Sequence, residues 1–211
     1  WLRAAIEGGR MDNPDFAVND GVWDVNLLTG EAYFSPTCYT MLGYEPGEMP
    51  ATYRSFVSLQ HPEEKERAGQ VVKNAMATGE PFSMELRLRC KDGSWLWVLD
   101  RGKTVSYTDE GKPLRMVGTH TDISRRKETE QQLQQTLVEL ETIFDNSRVG
   151  LMLLRGGRKL AKGNQRLADI LGYDSPEEMA GISMRRLHLT EERFHEFGRI
   201  YYANLEKREQ I

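Results

Sequence analysis

The alternation of apolar and polar residues predicts five strands between Gly21 and Ile123. In the first, Gly21–Leu27, the side chains of Trp23 and Val25 share one face, and a turn joins it to a short second strand, Ala32–Phe34. The other three predicted strands are Phe82–Cys90, Trp95–Val105 and Leu114–Ile123. Glycine-containing turns separate these three, so the pattern predicts a hairpin followed by an antiparallel meander.

Between the hairpin and the meander, the sequence predicts helices. Ser35-Pro36 opens a helix that ends at Gly43, because serine can cap it and proline suits its first turn. One or two short helices are expected between Glu45 and Leu59, and the longest helix is expected between Pro62 and Gly79. Two strands, several helices and three further strands predict an α+β fold with helices on one face of an antiparallel sheet.

A connecting helix is predicted over Arg125–Phe144, which contains neither glycine nor proline and is rich in good helix formers. Its apolar positions are spaced four, three and four residues apart, as in the seam of a coiled coil. They are Leu133, Leu137, Leu140 and Phe144. Two interpretations follow: one half of a parallel dimer, or an amphipathic helix that lies on its own domain.

A repeat begins after this helix, because Leu171–Met179 resembles Leu42–Met49 at an offset of 129 residues between Gly172 and Gly43. The same offset places Ile211 near Phe82, so the second copy is expected to lack the whole meander. Two strands without their neighbours would leave a sheet edge unpaired. The second copy is therefore predicted to be incomplete.

Charge and composition exclude several classes of function. The net charge of −4 and the mixing of basic with acidic residues give no basic face for nucleic acid. No apolar run is long enough for a membrane segment within these residues. Cys38 and Cys90 are far apart, which favours a reduced, cytoplasmic setting. No metal site is expected, and none of the common hydrolase, protease, nucleotide-binding or kinase motifs occurs, so no catalytic residue is assigned.

Three motifs together resemble a PAS domain with its C-terminal PAC segment. They are NDGVWDVNLLTGEAYFSP, KDGSWLWVLDRG and GTHTDISRRK, and the second half of the chain is similar to the start of another such domain. The resemblance implies a five-stranded antiparallel sheet of order 2-1-5-4-3. It divides the chain into an N-terminal helix and loop (1–15), a PAS/PAC sensory domain (16–124), a connecting helix (125–143) and an incomplete second PAS domain (144–211).

The resemblance also implies a signal-transfer site and a ligand pocket. The exit motif of the family stands here as Asp122, Ile123 and Ser124. Candidate pocket residues, which could equally well fill a solid core, are Met41, Phe56, Val72, Met76, Leu88, Trp97 and Met116. The ligand, if any, is unknown. Photoactive flavin is not expected because 51–60 lacks a cysteine, and haem is not expected because His61 suits a surface or capping role and His120 a local hydrogen bond.

Two functional hypotheses follow from the resemblance. In the first, the chain is a sensory module of a bacterial multidomain signalling protein and forms a homodimer. A small molecule or a partner would change the conformation of this module, and the exit motif and connecting helix would transmit that change to an output domain. By analogy, that domain would be a histidine kinase of a two-component system or a diguanylate cyclase. In the second, the chain is a constitutive dimerisation and spacing module without a ligand.

Overall fold

Five strands pair as a single antiparallel sheet in the order β2-β1-β5-β4-β3 in the computed structural model, which describes residues 20–156, 158–187 and 190–201. The strands are β1 (Gly21–Asn26), β2 (Ala32–Phe34), β3 (Phe82–Arg89), β4 (Trp95–Tyr107) and β5 (Pro113–Asp122). The predicted sheet order and the five predicted strands are confirmed. The predicted N-terminal helix and loop lie outside the described residues.

Three helices cover one face of this sheet: α1 (Pro36–Thr40), α2 (Tyr53–Leu59) and α3 (Lys65–Thr78). Thr52 caps α2, since its hydroxyl accepts the amide of Ser55 at 3.1 Å. α3 ends at Gly79, whose φ of 74° is readily adopted only by glycine. The core lies between these helices and the inward-facing side chains of the strands.

The connecting helix α4 (Ser124–Asp145) begins directly after β5. The carboxylate of Asp122 accepts the amide of Ser124 at 2.8 Å and so satisfies a free donor at the start of the helix. Leu133, Leu137 and Leu140 are 61%, 47% and 57% exposed, so the described residues of the second unit, to which they belong, leave these three seam positions uncovered. The fourth seam residue, Phe144, is half-buried, and Nζ of Lys162 lies 5.3 Å from its ring centroid.

The chain divides between Gln131 and Gln132 into two compact units. The described elements that follow α4 in the second unit are β6 (Met152–Arg155), β7 (Lys159–Gly163), α5 (Gln165–Leu171), two 3₁₀ turns (Glu177–Met179 and Met184–Leu187) and α6 (Glu191–Tyr201). β6 and β7 form a two-stranded sheet, and within the described residues of this unit no third strand joins them.

Asn164 is the polar centre of the second unit and is 0% exposed. Its side-chain oxygen accepts the amides of Leu151 and Leu167 at 2.9 and 3.0 Å. Its side-chain nitrogen donates to the carbonyl oxygens of Phe144 and Val149 at 2.9 and 3.0 Å. All four hydrogen-bonding positions of the amide are thus used, and the last turn of α4 is fixed to the start of α5.

Candidate functional site

A small internal cavity of about 20 Å³ lies between the sheet and the helices α2 and α3 of the first unit. That volume holds about one water molecule. Its wall is apolar except for a few polar groups at the sheet side. The lining residues are Trp23, Val25, Leu27, Phe34, Tyr53, Phe56, Val72, Met76, Phe82, Asp100, Met116 and His120.

A buried ion pair forms the polar end of this cavity. Asp100 and His120 are 1% and 4% exposed, and Nε2 of His120 lies 3.3 Å from Oδ1 of Asp100. The indole Nε1 of Trp23 donates to the same oxygen at 3.0 Å. One carboxylate oxygen thus holds two ring nitrogens from two other strands. Loss of one of these partners would destabilise the fold, because burying an unpaired charge costs free energy.

The register of the sheet brings these residues together. Asp100 on β4 pairs directly with His120 on β5, and Trp23 on β1 pairs with Gly118 on β5. A Cβ atom at Gly118 would lie 2.3 Å from the Trp23 ring, and one at Gly102 would lie 2.6 Å from it. The two glycines therefore make room for the indole ring, which reaches across β5 towards Asp100.

The environment of His120 favours its protonated form. Burial by itself lowers the pKa of His120. The charge of Asp100, the hydrogen bond to it and the contact with Cys38 outweigh this and raise the pKa to about 9. The ring of Phe56 stacks on the imidazole at 4.9 Å between centroids. Tyr53, on the same helix, has a raised pKa, first because of burial and then because of the charge of Asp100.

Four of the predicted pocket residues, Phe56, Val72, Met76 and Met116, line this cavity. Leu88 lines a neighbouring void of about 10 Å³ together with Cys38 and His120. Met41 packs, partly buried, against the core and lines neither space.

The prediction that Trp97 lines the pocket was wrong. Successive side chains of a strand point to opposite faces, and Val98 and Asp100 point inward, so Trp97 lies on the outer face of the sheet. There it contacts Arg87 and Lys127, whose charged groups lie 5.3 and 5.1 Å from its ring centroid.

The predicted exit motif lies at the junction of β5 and α4. Ile123 is buried, and its amide donates to the carbonyl oxygen of Trp97 at 2.9 Å. The hydroxyl of Ser124 accepts the amide of Trp97 at 3.2 Å, while Asp122 is exposed and caps α4. His120 precedes Asp122 by two residues on the same strand, so the cavity and the exit motif share β5.

Sequence reasoning missed the polar part of the cavity. Asp100 lies on the same inward face of β4 as Val98. A charged residue at an otherwise apolar, inward-facing position could have indicated a buried polar site. The lining residues Trp23, Phe34, Tyr53 and Phe82 carried no comparable signal, because apolar positions of a core and of a pocket look alike in a sequence.

Other sites were sought across the described part of the chain. His61 lies outside the cavity: its ring contacts Trp95 at 4.5 Å and its Nδ1 lies 3.6 Å from Glu63. Both cysteines are free, and Cys38 contacts the carbonyl oxygen of Val22. No group of three or more metal-binding side chains occurs among the described residues. Nor is any described helix both long and apolar enough to cross a membrane.

Comparison with known proteins gives the same family for both units. A family model described as PAS fold matches residues 31–120, and one described as PAS domain matches residues 139–204. A sensory box histidine kinase/response regulator of Burkholderia thailandensis, of known crystal structure, is 28% identical. Its TM-score is 0.53, with 67% of this chain and 98% of that chain covered.

Curated relatives include the sensor protein FixL of Bradyrhizobium diazoefficiens, 25% identical over 136 residues, and a blue-light-activated histidine kinase of Brucella ovis, 28% identical over 147 residues. The matches cover 64% and 68% of this chain. They cover only 26% and 29% of the relatives' own lengths. Since the two PAS models together match most of its length, the chain belongs to the PAS family, as its motifs predicted.

Proposed function

We propose that the first unit is the input module of a signalling protein, in which a change at the cavity alters the start of α4 and so reaches an output domain. The observation that carries this proposal is the position of His120. It lies in the cavity wall, pairs with Asp100 across the sheet, and precedes the exit motif by two residues. A displacement of the imidazole that moves the backbone of its strand would therefore act on the strand that enters α4.

The polar pair suits a switch because separating Asp100 from His120 would cost free energy. Asp100 and His120 lie in an apolar wall where a lost contact cannot be replaced by bulk water. A small molecule that takes the place of either partner, or a change in the proton on His120, would move β4 and β5 relative to one another. Packed elements respond to such changes in discrete steps rather than continuously.

For the ligand, we propose a small organic molecule rather than haem or a photoactive flavin. His61 lies outside the cavity, and the imidazole of His120 is committed to Asp100. The short helix α2 beside the cavity carries no cysteine for a light-driven thiol bond. A cavity of about 20 Å³ would have to expand for any organic ligand, and the expansion for haem or flavin would be much larger than for a small molecule.

The wider setting is part of the proposal. The relatives are named as a sensor protein and as histidine kinases, which supports a role ahead of a kinase output domain in a longer protein. A cytoplasmic location and a cyclase as the alternative output domain are proposed by analogy with family architecture. The exposed leucines of α4 support a homodimer in which the seams of two copies pack together.

The test enlarges a side chain in the cavity wall. Val72→Phe adds more volume than the void can hold and so pushes α3 away from the sheet. Val71→Phe makes the same change at a partly buried position of α3 that does not line the cavity. We expect Val72→Phe, but not Val71→Phe, to change hydrogen exchange of the amides of residues 125–131 by about threefold or more, relative to the amides of β1. Equal values in the two variants would favour the constitutive spacer.

The dimer has its own test, in which Leu137→Glu places a charge on the seam. We expect the dissociation constant of the dimer, measured by analytical ultracentrifugation, to rise about tenfold or more, because a buried seam position disfavours a carboxylate. Gln135→Glu adds the same charge on the opposite side of the helix and should leave the dimer intact. A dimer equally stable in both variants would place the interface elsewhere.

A further inference from the structure

A chain of charged contacts on the outer face of the sheet links the cavity helix α3 to the signal helix α4. We infer that this chain, which we call the β3 relay, is a second route by which the state of the cavity reaches α4, through side-chain contacts that the exit motif does not make. The inference rests on the proposed function, since it needs a signal to carry. The relay consists of Glu64, Glu85, Arg87, Trp97 and Lys127.

The relay begins at the start of α3. Glu64 precedes the first residue of this helix and is 8% exposed. Its carboxylate accepts the backbone amide of Arg87 at 2.6 Å and Nε of the same residue at 2.9 Å. An almost buried carboxylate held by two donors of one residue is fixed in place. A movement of α3, whose Val72 lines the cavity, therefore moves Arg87 on β3.

Trp97 connects Arg87 to α4. The guanidinium carbon of Arg87 lies 5.3 Å and the ammonium nitrogen of Lys127 5.1 Å from the centroid of its ring. Both distances lie within the range of a cation–π contact. Lys127 belongs to the first turn of α4, so one indole ring joins a cation tied to α3 with a cation on the signal helix.

Glu85 provides a parallel connection between the same helices. Its carboxylate pairs with Lys127 at 2.6 Å and with Arg126 at 2.5 Å, while its backbone carbonyl accepts Nη2 of Arg67 on α3 at 2.6 Å. Glu85 and Arg87 are neighbours on the outer face of β3, the edge strand of the sheet. Two outward-facing side chains of one edge strand thus hold the starts of both helices.

The arrangement suits transmission better than stability. Apart from the pair of the nearly buried Glu64, the ion pairs of the relay are partly exposed. Such pairs contribute little to the free energy of unfolding, so stability alone gives little reason for them at this place. They do set the position of one helix relative to another. A transmission route between α3 and α4 is established only by a measured coupling between the two helices, because proximity alone does not establish one.

The test measures that coupling with a double-mutant cycle. Hydrogen exchange of the amides of residues 125–131 is measured for Val72→Phe in the otherwise unchanged chain and in chains that also carry Trp97→Leu, Glu85→Gln or both. We expect each relay variant to reduce a threefold response to Val72→Phe to about twofold, and the pair to reduce it further, to the part that the exit motif carries. Trp95→Leu, on the same face of β4 but in contact with His61, should leave the response unchanged.

The outcomes separate the relay from the proposed function. A purely structural role for Trp97 predicts additive effects, in which Val72→Phe gives the same ratio of rates with and without the relay, and this result overturns the inference alone. A response that is kept in full in the double relay variant and lost in Asp122→Ala overturns it as well and assigns the signal to the exit motif. No response to Val72→Phe in the otherwise unchanged chain overturns both.

Discussion

Replacing Asp100 with alanine is expected to lower the free energy of unfolding of the first unit by about 3–5 kcal/mol, because it removes the partner of a buried charge. The change also deprives the indole N–H of Trp23 of its acceptor. Urea unfolding followed by tryptophan fluorescence measures the effect in this unit, since all four tryptophans lie within it. Asp109→Ala, in an exposed turn, serves as the control and should cost less than about 0.5 kcal/mol.

The same pair predicts how stability depends on pH. The pKa of His120 is raised from 6.5 to about 9, so its contribution is complete below pH 6.5 and is lost as the pH rises through 9. We therefore expect the free energy of unfolding to fall by about 3 kcal/mol over that interval, at about 1.4 kcal/mol per unit of pKa. Asp100→Asn keeps an acceptor oxygen but not the charge, and it should abolish most of this fall. A fall of the same size in Asp100→Asn would contradict the ion pair.

Replacing Asn164 with alanine should be the most damaging single change among polar residues of the second unit, at about 3 kcal/mol, because four buried hydrogen-bonding groups lose their partner at once. Hydrogen exchange is the suitable measurement, since the tryptophans report on the first unit. The amides of Leu151 and Leu167, which Asn164 accepts, should exchange much faster. Asn146→Ala, exposed and bonded only to Thr142 within α4, is the control.

A second variant separates the two halves of the Asn164 network. Asn164→Asp keeps the oxygen that accepts Leu151 and Leu167 but cannot donate to Phe144 and Val149. We expect the last turn of α4 to exchange faster in this variant, whereas the start of α5 keeps its protection. Similar protection of both segments in Asn164→Asp and in the unchanged chain would show that the contact with Phe144 does not hold the helix.

Local chemistry was sufficient for the secondary structure. Strict alternation over Phe82–Arg89 and the turn at Asp92-Gly93 predicted a hairpin, and the structure pairs Arg89 with Trp95 across it. The composition of 125–144 predicted one uninterrupted helix, which runs from Ser124 to Asp145. The strand order, by contrast, came from the resemblance to a family, because alternation does not indicate which strands are neighbours.

The sequence by itself thus determined the elements, their order along the chain and the family, since propensities, turns and motifs act over a few residues. Only the tertiary structure decided the site. Asp100 and His120 meet because the register of β4 and β5 places them opposite one another. Trp97 was assigned to the wrong face because both faces of β4 carry apolar side chains, and packing of the helices decides which face becomes the core. Contacts between residues distant in the chain depend on register and packing, which no local pattern specifies.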